Sequence, residues 1–176
     1  MRFNAVLIAN REYDGDFPLY LHCMNVATMA TKVAHIMHLD ERLCFDAGLL
    51  HDVGKMYCGL NIIPDHPALT YSRLKELEVD DLVTCVAAVH HQFQHNPYPE
   101  FKECVYKYTE YKEAELISLC DKVEAGMTRG EETPDEALDN ALRIFPKYDQ
   151  DMINALRNVL YSRNTIRKIK RDEYVI

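Results

Sequence analysis

Residues 48–57 read GLLHDVGKMY. His51 and Asp52 stand side by side at the end of an apolar run, with Gly54 and Lys55 just behind them. Neither is a natural end for a buried helix. An ionised carboxylate is almost never fully buried unless it is paired or bound to a metal. If a metal is the partner here, other stretches of the chain must bring further ligands to the same place.

The surroundings of this stretch read as helix almost throughout. In DFPLYLHCMNVATMATKVAHIMHL the residues His22, Val26, Met29, Val33 and Ile36 recur at three- and four-residue steps, one face of an amphipathic helix. Asp16 suits its cap and Pro18 its first turn. DERLCFDAGLLHD begins at a second capping residue, Asp40. HPALTYSRLKELE, DDLVTCVAAVHHQF and the long YTEYKEAELISLCDKVEAGM follow as three more helices. TPDEALDNALRIF carries a capping box, with Thr133 as cap, Pro134 next and Glu136 three residues on. DQDMINALRNVL and a basic tail complete the chain, and the one weak strand-like alternation is near NAVLIA. The expectation is an all-α fold of six to eight helices. It forms one domain over residues 1–176, with a core at about 17–160 and a basic tail at 161–176.

Composition narrows the function. With 176 residues, 48% of them hydrophobic and 27% charged, the chain suits one soluble globular domain. A net charge of −8 speaks against a nucleic-acid polymer as partner but leaves room for a small anion met by a local cluster of cations. The six cysteines form no Cys-x-x-Cys pair, and no leader or membrane span is evident, so reduced thiols and a cytoplasmic location are expected, away from membranes.

Five histidines fall where a metal could use them: His22, His51, His66, His90 and His91. His22 lies on the apolar face named above. Val83, Val86 and His90 share a face, with His91 one step round, and Ile117 and Asp121 are four apart, with Glu124 one turn later. Each has an ordinary alternative. An inward histidine can be a hydrogen-bonded core residue, Asp52 can accept backbone amides near a helix end, Asp121 can be ion-paired, and Lys55 can be a solvated cation near a helix terminus. Those alternatives must be invoked six times, always on inward faces, whereas one metal site accounts for all of them together.

LHCMNVA, LLHDVGK, HPALTYS, VHHQF and LCDKVEA occur in the order His…His-Asp…His…His-His…Asp. In this the chain resembles the HD-domain metal-dependent phosphohydrolases, and within them most the HD-GYP branch, whose members hydrolyse cyclic di-GMP. HHQFQHNPYPE keeps Tyr98-Pro99 of that branch's Gly-Tyr-Pro, but has Pro97 for the glycine and Gln92 for a glutamate. Only the residues from Met56 to Asp65 separate Lys55 from His66, a short loop for that branch. The likeness runs from about Phe17 to Leu160.

The resemblance implies two divalent metals, iron or manganese first, with magnesium, nickel, cobalt or zinc as further options. Asp52 would bridge them, with His22, His51 and Asp121 on one metal and His66, His90 and His91 on the other. A hydroxide held between the metals would attack phosphorus in a nucleotide or cyclic dinucleotide phosphoester, cyclic di-GMP being the specific expectation. Lys55 would meet a non-bridging oxygen, Arg129 a second phosphate contact, and His95 and Gln92 would shape the pocket. The alternatives are a di-iron oxygenase acting on a small molecule, against which Lys55 weighs, and a non-catalytic signalling module, which would be expected to have lost ligands.

Overall fold

The computed structural model describes residues 4–58, 65–91 and 111–172, with side chains to residue 162. Among them are eight α helices and no strand: α1 (Ala5–Glu12), α2 (Phe17–Met37), α3 (Glu41–Leu50), α4 (His66–Glu76), α5 (Asp81–Ala88), α6 (Lys112–Arg129), α7 (Pro134–Ile144) and α8 (Gln150–Asp172). A 3-10 turn, Val53–Tyr57, follows α3. The all-α expectation holds.

Most helix starts are set by the residues that the sequence marks. Asp16 accepts the Leu19 amide at 3.0 Å, Asp40 the Leu43 amide at 2.9 Å, and Thr133 and Glu136 form the capping box. Two expectations need correction. The stretch near NAVLIA is helical, not strand-like: Asn4 caps it and Ala5, Ala9 and Glu12 turn inward at helical spacing. The helix expected to run through His91 ends at Ala88, so His90 and His91 sit on the turn beyond it, where His90 Nδ1 donates to the Ala87 carbonyl at 2.7 Å. Cys23, Cys44, Cys58 and Cys120 are reduced, as expected, but Cys85 is disulfide-bonded.

α2 is the axis of the fold. Its inner face, Val26, Ala27, Met29, Ala30, Val33 and Ala34, is fully buried and packs against α3, α6 and α8. Small residues let α3 come close. A Cβ on Gly48 would lie 2.9 Å from Ala27 Cα, so only glycine fits that crossing. Gly54 does the same one turn later, where a Cβ would lie 2.1 Å from the His66 carbonyl oxygen and 2.5 Å from the Thr70 amide. The two glycines around His51-Asp52 thus seat the turn against α2 on one side and α4 on the other. Thr70 fastens it, accepting the Gly54 amide at 2.8 Å and donating to the His51 carbonyl at 3.0 Å.

A second fastening ties α1 to the same turn. Arg73 of α4 grips Glu12 through two hydrogen bonds of 2.8 and 3.0 Å and lies 5.1 Å over the Tyr57 ring, while Tyr57 donates to the same carboxylate. The Arg73 hydrogen bonds outweigh burial and, with Tyr57, hold the Glu12 carboxyl below its ordinary pKa. A group whose pKa is lowered on folding stabilises the fold above its unfolded value, and that stability is lost as pH falls through the folded value. Glu12→Gln is expected to cost about 1.5–3 kcal/mol at neutral pH. The difference from the parent should shrink below the ordinary carboxylate pKa, as read from urea denaturation across pH.

Candidate metal centre

The expected ligands come from five separate elements. α2 supplies His22 from its buried face, the end of α3 supplies His51 and Asp52, and α4 opens with His66. The turn after α5 supplies His90 and His91, and α6 supplies Asp121. The structure brings all seven together in two groups, His22, His51, Asp52 and Asp121 in one and His66, His90 and His91 in the other. Within each group the ligand atoms all lie within 4.8 Å of one another.

Asp52 stands between the groups, with its side chain fully buried. Its Oδ2 lies 3.5 Å from His22 Nε2 and 3.3 Å from His51 Nε2, and Lys55 Nζ donates to the same oxygen. Its Oδ1 faces the other way, 3.1 Å from His66 Nε2 and 3.7 Å from His90 Nε2. Asp121 Oδ1 closes the first group, 3.1 Å from His22 Nε2 and 3.6 Å from His51 Nε2. Asp52 makes no side-chain cap bond, and Asp121 pairs with imidazoles rather than with a lysine or arginine.

Each of three rings is oriented by its outer nitrogen. His51 Nδ1 donates to the Gly48 carbonyl at 2.7 Å and His90 Nδ1 to that of Ala87 at 2.7 Å. His22 Nδ1 is held by Glu124, which Asn25 Nδ2 steadies at 2.9 Å. With Nδ1 committed outward, Nε2 of each ring points into the centre, the arrangement seen when a second layer of partners fixes a metal-ligating imidazole. Asn25 and Glu124 were not among the expected site residues. The signal for both was spacing, since each lies three residues after a ligand on the same helix, His22 and Asp121.

The electrostatics ask for a cation. Burial pushes both aspartates up, yet neighbouring imidazoles hold Asp52 and Asp121 well below the usual carboxylate range. Burial disfavours a charged His22, but the nearby carboxylates of Asp121, Asp52 and Glu124 prevail and raise it to about 10. His51 is raised for similar reasons. Burial instead keeps His90 and His91 neutral, His91 falling to about 4. The ionised carboxylates therefore hold protons on the His22 and His51 imidazoles where no other cation is supplied. His22 Nε2, His51 Nε2 and Asp52 Oδ1 are all buried without a hydrogen-bond partner, a set that fits a divalent metal far better than a dry core.

A cavity of about 620 Å³ opens beside the first group, lined by His22, Lys55, Glu124, Leu19, Leu21 and Arg129 among others. Arg129, at the last turn of α6, thus reaches the cavity but not the ligand cluster. Gln92 and His95, with the altered Gly-Tyr-Pro region, lie outside the described residues. No described helix is long and apolar enough to cross a membrane.

Comparison with known proteins agrees with this geometry. The family model described as the HD domain matches residues 19–126. No curated protein matches the chain. Among solved structures, the HD domain of the L. monocytogenes phosphodiesterase PgpH is similar at a TM-score of 0.68 and 20% identity, over 92% of this chain and 98% of that one. The same domain in complex with cyclic-di-AMP gives 0.67 and 18%, over 92% and 97%. At such identities the likeness is one of fold, and the family rests on the domain match and the ordered ligands. The chain belongs to the HD-domain family of metal-dependent phosphohydrolases.

Proposed function

We propose that the chain hydrolyses a phosphodiester of a cyclic dinucleotide, using two divalent metals. The observation that carries this reading is the buried Asp52 carboxylate, each oxygen turned to a different group of imidazoles, with Lys55 at its edge. His22, His51 and Asp121 would hold one metal, His66, His90 and His91 the other, and Asp52 both. Bound there, such metals supply Lewis acidity and lower the pKa of water to near neutrality.

The chain's own groups do the rest. Lys55 meets a non-bridging phosphate oxygen as a point charge, and its place on a short turn seated by Gly54 limits its wandering. Glu124 keeps the proton on His22 Nδ1 and so keeps Nε2 available. The apolar wall of the neighbouring cavity, Pro18, Leu19 and Leu21, suits a base or sugar, with Arg129 in reach of a second phosphate. Iron and manganese suit this imidazole–carboxylate set.

Cyclic-di-AMP is the ligand of a similar HD domain, which makes it the first substrate to try. Cyclic di-GMP, attached to the HD-GYP resemblance, is the second. A single HD-type domain would span residues 1–176, with its core at about 17–160.

Elemental analysis of anaerobically purified protein, paired with cleavage of both dinucleotides, tests the reading. About two metals per chain with cleavage of either one supports it. Metal-free protein that takes up none on reconstitution overturns it. Asp52→Ala is expected to lose metal and at least about 100-fold in turnover, and unchanged metal content would remove Asp52 as the bridge. Glu124→Ala should weaken metal affinity by about 10–100-fold while leaving the fold intact, read by metal titration of the apoprotein.

A further inference from the structure

The cavity beside the first group contains two kinds of polar group. Lys55 and Arg129 bring positive charge and donors to its lining, which suits phosphate. Asn25 of α2 and Glu124 and Thr128 of α6 line it as well. An amide and a hydroxyl can each donate or accept, so their hydrogen bonds decide what they offer a ligand.

Both have their protons committed to Glu124. Asn25 Nδ2 donates to Glu124 Oε1 at 2.9 Å. A carboxylate accepts and does not donate, so the amide cannot turn over, and Asn25 presents its carbonyl Oδ1 instead. No described residue donates to that oxygen. Thr128 Oγ1 donates to the Glu124 backbone carbonyl at 2.8 Å and leans toward its carboxylate at 3.2 Å, which uses its one proton and leaves an acceptor. Glu124 is buried and anchored on His22, so these acceptors are set before a ligand arrives.

We propose that Asn25 is a specificity residue of this cavity, its Oδ1 accepting a hydrogen bond from a donor on the substrate nucleoside, either an exocyclic amine of the base or a ribose hydroxyl. Thr128 offers a second acceptor on the same Glu124. The inference rests on the phosphodiesterase reading above and extends it from the phosphate to the nucleoside. A fixed acceptor discriminates against a ligand that brings nothing to meet it, because the carbonyl then loses water without gaining a partner.

Three substrates separate the two sources of the donor: cyclic-di-AMP, its deoxyribose counterpart, and a counterpart with purine in place of adenine, which lacks the amine. With metal-saturated parent protein, kcat/KM is expected to fall about tenfold for at least one analogue, and the analogue that falls names the donor. In Asn25→Ser the same comparison should give values within about twofold of one another. The ratio between substrates is read on one preparation, so a smaller active fraction does not disturb it. A parent that treats all three alike overturns the proposal. So does a variant that is slower on all three by the same factor, which would make Asn25 only a support for Glu124. Should Asn25→Ser fold poorly, Asn25→Ala answers the same question. Absence of any cleavage by the parent sinks the phosphodiesterase reading instead. Binding of AMP, its deoxyribose form and purine riboside monophosphate to the metal-loaded parent and variant then decides whether Asn25 reads the nucleoside.

Discussion

The arrangement depends on one buried carboxylate. Asp52 is fully enclosed, and its two oxygens face imidazoles that arrive on four different elements. A lone ionised carboxyl in such a place would be prohibitively costly, so its environment has to supply positive charge from several sides. Lys55 supplies one such charge directly and the histidines supply the rest, as imidazolium or through a metal. The packing of α2, α3, α4, α5 and α6 can be seen as the means of delivering those groups to one carboxylate.

That delivery is steric before it is electrostatic. Gly48 lets α3 press on Ala27 of α2, which brings His51 to His22, and Gly54 lets the following turn press on α4, which brings His66 to Asp52. Thr70 then satisfies backbone groups on both sides of the His51–Gly54 turn. The clamp of Glu12, Arg73 and Tyr57 holds the far end of the same turn against α1. The second layer, Glu124, Asn25 and two backbone carbonyls, decides which nitrogen of three rings faces inward. Without that layer the same histidines could present the wrong tautomer and bind nothing well.

The charge balance follows from the same layout. The chain is acidic overall, with a net charge of −8, yet Lys55 sits on the Asp52 carboxylate and Arg129 on the adjoining cavity. An anion approaching such a surface meets repulsion broadly and attraction locally.

The sequence by itself determined the fold class, the capped helix starts and the ordered series of histidines and aspartates, because these rest on local signals: periodicity of three and four, capping residues and fixed spacing. It misjudged the ends of elements, reading a helix through His91 and a weak strand in the segment that forms α1, since those boundaries depend on what the chain packs against. It pointed to Asp121 and His22 but passed over Asn25 and Thr70, which look like ordinary helix residues until the helices meet. Which oxygen of Asp52 faces which imidazoles and which ring nitrogen points inward were decided only by tertiary structure. Each is a relation between side chains on different helices, and only the packing of those helices sets the distances between them.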